Sequence, residues 1–421
     1  MDMHSWYKEQ TVERFLKYAV IDTQSKRDAD RRPSTPGQME LLRLIRRELE
    51  EMGIPETVLY DEGYLIARIP ASPGCEQIPA VGFMAHVDTA GDVSGKDVKP
   101  QMVCSYDGSD ITLGSSGLML RASDNPELQE CVGRDIITTD GTTLLGADDK
   151  AGAAEIITAA QYIMEHEEIS HGPVELIFTS DEETGAGMDC FPVKDLQSVC
   201  CYTLDGSGRG SIEAECFYAV RADVKCTGVS YHLGRAKGRM VNAVTMASSF
   251  IRMLPQSESP ESTEDREGYY CALSIQGDVE HADIQVYIRD FDRSQAQRRA
   301  NAVKDIAKAV EAAFPGGSVT VEITWQYENM LEGISKHPAI LETAEQAMRT
   351  IGIEPRYTSI RGGTDGARLT AMGIPAPNLF TGGNNYHSRY EWLCTDAMAE
   401  AAAVVTQIPM IWADRFREKS K

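Results

Sequence analysis

No apolar run in this 421-residue chain approaches the roughly 20 residues needed to cross a bilayer. The first ten residues, Met1 to Gln10, are polar and charged and lack the apolar core of a secretory signal. Ten cysteines are present, but none form a Cys-x-x-Cys pair, and Cys200 and Cys201 are adjacent. That spacing suits neither a disulfide framework nor a zinc knuckle, so reduced thiols in a cytoplasmic protein are the expectation. Positive charge is also scarce. Lys and Arg number 41 against 64 Asp and Glu, a formal charge of -23. Phosphates of nucleic acids and anionic membranes would be repelled, so neither is expected as a partner. Internal repeats and low-complexity stretches are absent as well.

What is present suits a globular protein: 42% hydrophobic and 25% charged residues, in a chain long enough for two domains. Val12, Phe15, Leu16, Ala19 and Val20 form the stripe of a first helix. A second starts at Thr35 as cap, with Pro36 in the first turn and Gln38 placed for a capping box. Its stripe runs Leu41, Leu42, Ile45, Leu49 and Met52, and Gly53 can end it. Short apolar runs follow at Ala80 to Ala85, Val174 to Phe178, Tyr202 to Leu204 and Pro377 to Phe380, with a helix over about Lys150 to Glu165. The alternation predicts an α/β fold, a mostly parallel sheet with helices on both faces. Between Glu215 and Glu328 the pattern becomes β-α-β-β-α-β, the ferredoxin-like unit. The expected division is therefore 1–214 with 329–421, and an inserted α+β domain over 215–328. The stretch from Asp92 to Cys131, rich in Gly, Ser and Asp, offers no pattern.

Polar residues gather just after the apolar runs, at His86-Val87-Asp88, Thr179 to Glu183, Asp205-Gly206 and Gly382 to His387. Gly146 to Lys150 precedes a helix. In open parallel sheets, ligand sites form at the carboxyl ends of strands, so the five segments can meet. Two histidines and three carboxylates suit a pair of divalent metal ions, with zinc the expectation for imidazole and carboxylate donors. Singly, each motif has a plain reading. Asp148-Asp149 can cap a helix, Asp181-Glu182-Glu183 can be a solvated turn, and Asp205-Gly206 is an ordinary turn dipeptide. Five together are hard to obtain by accident.

Ala85 to Thr89, Leu145 to Gly152 and Phe178 to Glu183 resemble the metal motifs of the M20 metallopeptidases. Further phrases similar to that family run from Ser359 to Gly366 and from Asn378 to His387. The resemblance extends from the Asp22 region almost to the C-terminus. It implies that Asp148 bridges two metals, with His86 and Asp205 on one and Glu183 and His387 on the other. Asp88 would hold the His86 imidazole, and Glu182 would be the general base. His232 of the inserted domain, acting as a lid, would help stabilise the oxyanion. Arg289 would pair with a peptide's terminal carboxylate, unless it serves a salt bridge to Asp290 or Asp292. Arg361, Asn242 and Asn329 are further substrate-binding candidates.

The implied activity is an aminopeptidase releasing the N-terminal residue of tripeptides through a metal-activated water. The alternatives are a dipeptidase or N-acyl-amino-acid amidohydrolase on the same metals, and a catalytically silent binding protein. Where the tripeptide-cleaving branch usually has Pro-Gly-Thr-Ala-Lys-Gly after the histidine, this chain has Leu233-Gly234-Arg235-Ala236-Lys237-Gly238. That departure changes shape and charge beside a substrate loop. The resemblance also allows a homodimer through the inserted domain.

Overall fold

The computed structural model describes residues 2–114 and 116–419. The chain divides into two units: Met1–Ala214 with Glu332–Thr358 and Thr364–Lys421, and Glu215–Leu331 with Ser359–Gly363.

The first unit is built on an eight-stranded sheet. Its strands run in the order Glu56–Tyr60, Tyr64–Ile69, Val174–Thr179, Ala80–His86, Ser198–Gly206, Asn378–Phe380, Ser211–Cys216, Arg356–Ile360. The four central strands are parallel. The pairings of Glu56–Tyr60, Tyr64–Ile69 and Ser211–Cys216 at the margins are antiparallel. Ala80–His86 is buried at every residue, as befits a strand covered on both faces. Its side chains alternate. Val81, Phe83 and Ala85 join Leu176, Phe178, Tyr202 and the helices in one core. Met84 joins Ile177, Cys201, Met188 and Leu369 in another. Each fully buried Leu, Ile or Phe there contributes about 1.5–3 kcal/mol.

Helix Met3–Ala19 buries Phe15 and Ala19, whereas Val20, expected in the same stripe, is the exposed C-cap. Helix Pro36–Glu51 starts after Thr35, which makes no side-chain cap bond. Gln38 does not complete a capping box. Its amide donates to Asp181 Oδ1 at 2.8 Å, a long-range partner that local spacing cannot show. Helix Ala147–Glu165 starts three residues before the expected Lys150, and Asp148 and Asp149 depart from helical φ/ψ inside it. The featureless stretch holds structure too. Ile111–Leu113 pairs with Leu118–Leu120, and Gln101–Val103 joins Ile136–Thr138, Trp392–Cys394 and Gly383–Asn384 in a small sheet. Tyr106, Leu113, Leu128, Ile136 and Trp392 form its own core. Three-residue strands are too short to show alternation.

The second unit is a four-stranded antiparallel sheet in the order Tyr269–Gly277, His281–Asp290, Tyr218–Thr227, Ser318–Tyr327. Helices Ala243–Met253 and Arg293–Ala313 pack on it, burying Phe250, Ala300 and Val303 against Val220, Val224 and Val286. In chain order its strands lie 2-3-1-4, the ferredoxin-like arrangement.

Candidate metal centre

Three parallel strands, Val174–Thr179, Ala80–His86 and Ser198–Gly206, end at the same edge of the sheet, so the residues that follow them converge. His86 closes its strand, Asp205 is the penultimate residue of its own, and Glu182 and Glu183 open a short 3-10 turn after Thr179. Asp148 enters from the start of helix Ala147–Glu165, which lies close because residue 152 is glycine. A Cβ there would stand 1.9 Å from Leu204 O.

Asp148 faces both histidines. His86 Nε2 is 2.9 Å from Asp148 Oδ1, and His387 Nε2 is 3.1 Å from Asp148 Oδ2. Asp205 Oδ1 lies 3.7 Å from His86 Nε2, and Glu183 Oε1 lies 2.9 Å from His387 Nε2. His86, Asp148 and Glu183 each present a donor atom within 4.8 Å of the others, as do His86, Asp149 and Asp205. Both oxygens of Asp149 are already taken, by the His86 and Gly152 amides at 3.1 and 3.2 Å. Asp148 therefore fits a ligand's role better than Asp149.

The surroundings hold these groups in place. His86 Nδ1 lies 3.1 Å from the Asp88 carbonyl and 3.3 Å from its carboxylate. The Asp88 carboxylate also accepts the Glu182 and Glu183 amides at 3.1 and 3.2 Å. On its other side the turn is anchored by Asp181, in left-handed backbone at φ 61. Asp181 accepts the Ser34 amide at 2.8 Å and pairs with Gln38 and the Ser34 hydroxyl. Thr364 donates to Asp205 at 3.2 Å, and Thr179 donates to Asp365 at 2.7 Å.

Negative charge exceeds what the chain's own cations balance. Burial, with Asp148 nearby, pushes Glu183 up to about 7, and burial also raises Glu182 well above the usual carboxylate range. Asp205 is raised by burial, and Asp365 is pushed up to about 7 by the same cause. Against burial, the carboxylates of Asp148, Asp205 and Asp88 hold His86 well above the imidazole range. Asp148 and Glu183 push His387 to about 11. Although burial opposes it, His387 and His86 lower Asp148. Divalent cations would relieve this excess. Glu183 Oε1 is moreover buried without a hydrogen bond to any described residue, although His387 Nε2 lies 2.9 Å away. Ligand atoms around a tetrahedral zinc at 2.0–2.2 Å stand roughly 3.3 Å apart, close to the separations seen. The residues fit a pair of metal ions.

A model of peptidase family M20/M25/M40 matches residues 141–410. The chain is 46% identical over 405 residues to peptidase T of Caldanaerobacter subterraneus, covering 96% of this chain and 99% of that one. It is 47% identical over 403 residues to peptidase T of Clostridium perfringens, with the same coverage. The chain belongs to the M20 family. Its fold matches a crystal structure of the aminopeptidase PepT from Bacillus cereus at TM-score 0.74 and 22% identity, covering 96% of this chain and 99% of that one. A tripeptidase from Staphylococcus aureus matches at 0.76 and 19%, covering 97% and 99%.

Within this M20 chain the remaining candidates lie in the second unit. His232 is exposed, just before the turn Leu233–Arg235. Arg289 is buried, its guanidinium 4.7 Å from the Tyr287 ring and 5.6 Å from Tyr327, donating to Ile288 O at 3.0 Å. Neither alternative partner is engaged with it: Asp290 pairs with Arg299 at 2.8 Å, and Asp292 accepts the Gln295 amide at 2.9 Å. Arg361 is committed to Thr263, Asp265 and Glu267 through four hydrogen bonds. Asn242 Oδ1 caps helix Ala243–Met253 through the Val244 and Thr245 amides. Asn329 bridges Cys216, Leu331, Phe291 and Glu215. Sequence reasoning gave Asp149, Asp181, Asp365 and Glu391 no part in the site. For the first three the signal was there, in the quoted motifs. Glu391 carried none.

Proposed function

We propose that this M20 chain is a cytoplasmic aminopeptidase that removes the N-terminal residue of tripeptides, with two zinc ions held by His86, Asp148, Asp205, Glu183 and His387. The observation that carries the metal reading is Asp148, whose two oxygens each face one imidazole. The tripeptide preference is supported by near-full-length identity of 46 and 47% to two chains named peptidase T.

Bound metal ions supply Lewis acidity, which makes water a nucleophile near neutral pH and stabilises developing oxyanion charge. The protein does the rest. Asp148 takes the bridging position between the two imidazoles. Asp88 orients His86 and, by accepting hydrogen bonds from two backbone amides, the turn that carries Glu182. The Glu182 carboxylate accepts no hydrogen bond from a described residue, and desolvation raises its proton affinity. Those properties suit a base that takes a proton from water and passes it to the departing amine. On the family resemblance, the reading extends to His232 for the oxyanion and Arg289 for the peptide carboxylate.

The test is hydrolysis of a free tripeptide by the zinc-loaded protein, with its N-acetylated twin alongside. Release of the N-terminal residue from the free peptide only, lost in Glu182→Gln at unchanged metal content, is the expected result. Cleavage of the acetylated peptide alone would replace the aminopeptidase by an amidohydrolase.

A further inference from the structure

Glu391 is only 1% exposed and lies four residues beyond His387, just before strand Trp392–Cys394. Its Oε2 accepts the amides of Leu145 at 2.6 Å and Gly146 at 2.9 Å, and its Oε1 accepts that of Asp148 at 3.2 Å. Asp148 lies in the first turn of helix Ala147–Glu165, where N–H groups have no acceptor within the helix, Gly146 is its N-cap, and Leu145 precedes the cap. At φ -85 and ψ 104 the Asp148 backbone is not helical, so its amide needs an acceptor from elsewhere. A carboxylate also complements the positive end of the helix.

The loop at the other end of this contact is braced on itself and on Asn125. Asn385 Nδ2 donates to Asn125 Oδ1 at 2.7 Å and to Tyr390 O at 3.2 Å. Ser388 Oγ donates to Asn385 O at 2.6 Å, and the Tyr390 amide donates to Ser388 Oγ at 3.1 Å. Such a loop passes a displacement at Glu391 on to His387 instead of absorbing it.

We infer that Glu391 is a positioning residue for the metal pair: its carboxylate ties the backbone of Asp148 to the loop that carries His387. It thereby sets the separation of the Asp148 Oδ2 and His387 Nε2 donor atoms, 3.1 Å here. The inference rests on the metal reading above. A mere helix cap would support folding and leave metal affinity alone. A positioning residue changes the affinity and geometry of the site, and loss of such partners typically lowers metal affinity about 10- to 100-fold.

The experiment is a cobalt(II) titration of the full chain followed by calorimetry and visible absorption, comparing wild type with Glu391→Gln and Glu391→Ala. Gln keeps the volume and one acceptor but sets an NH2 group against a backbone N–H, so it separates positioning from loss of packing. The expected result is two ions per wild-type chain, and in Glu391→Gln at least about a tenfold loss of affinity for one of them with an altered cobalt spectrum. Wild-type affinity and spectrum in Glu391→Gln, with only a lower melting temperature, would overturn the inference and leave a helix cap. If the wild-type chain itself binds no cobalt, the metal reading falls and takes the inference with it.

Discussion

Glu155 lies in the middle of helix Ala147–Glu165, fully buried, with neither carboxyl oxygen hydrogen-bonded to a described residue. Burial raises its pKa well above the ordinary glutamate range. A carboxyl with a raised folded pKa contributes stability below its unfolded value and loses it as pH climbs through the folded one. Its orphaned oxygens cost about 1–3 kcal/mol. Glu155→Met is therefore expected to raise stability by about that much, more at pH 8.5 than at pH 5. Urea unfolding at the two pH values checks it. An unchanged or lower stability at pH 8.5 would show that Glu155 has a partner in solution.

At the scale of elements, two kinds of support differ. The turn Glu182–Thr184 has almost no apolar burial and depends on polar clamps, with Asp88 on one side and Asp181, Ser34 and Gln38 on the other. Helix Ala243–Met253 depends on packing. Phe250 and Met246 are completely buried in the core of the second unit. Phe250→Ala removes a ring there and should cost about 3–5 kcal/mol. Because that core lies wholly within the second unit, metal uptake by the folded variant should match wild type. Denaturant melts and a metal titration on the same preparation read both effects.

For the whole molecule, the formal charge of -23 and the acidic cluster act in one direction. Carboxylates crowded beside two histidines oppose folding until cations offset them. Metal ions that bind the folded chain alone stabilise it by mass action, about 2.7 kcal/mol at a hundredfold excess over Kd. Chelation is thus expected to lower the melting temperature and abolish turnover, both recovered on adding zinc. Retained turnover after full chelation would rule out a metal-dependent reaction. Among the described residues no helix is long and apolar enough to cross a membrane.

The fold was legible in the sequence where periodicity is long. Buried parallel strands such as Ala80–His86 and the β-α-β-β-α-β order announce themselves because every residue, or every second one, meets the core. Motif pattern and family resemblance offered His86, Asp148, Glu183 and His387 as candidates, and folding brings the four side chains together. The three-residue strands between Gln101 and Leu120 were not, since so short a run has no measurable alternation. Nor was the bond from Gln38 to Asp181, or that from Glu391 to the Asp148 amide. Those partners stand 143 and 243 residues apart along the chain. Sequence by itself determined the apolar runs that become the four central parallel strands, and it offered the candidate metal ligands. Only tertiary structure decided which carboxylates hold the backbone behind the site, because a buried carboxylate's role is set by the donors that folding brings to it.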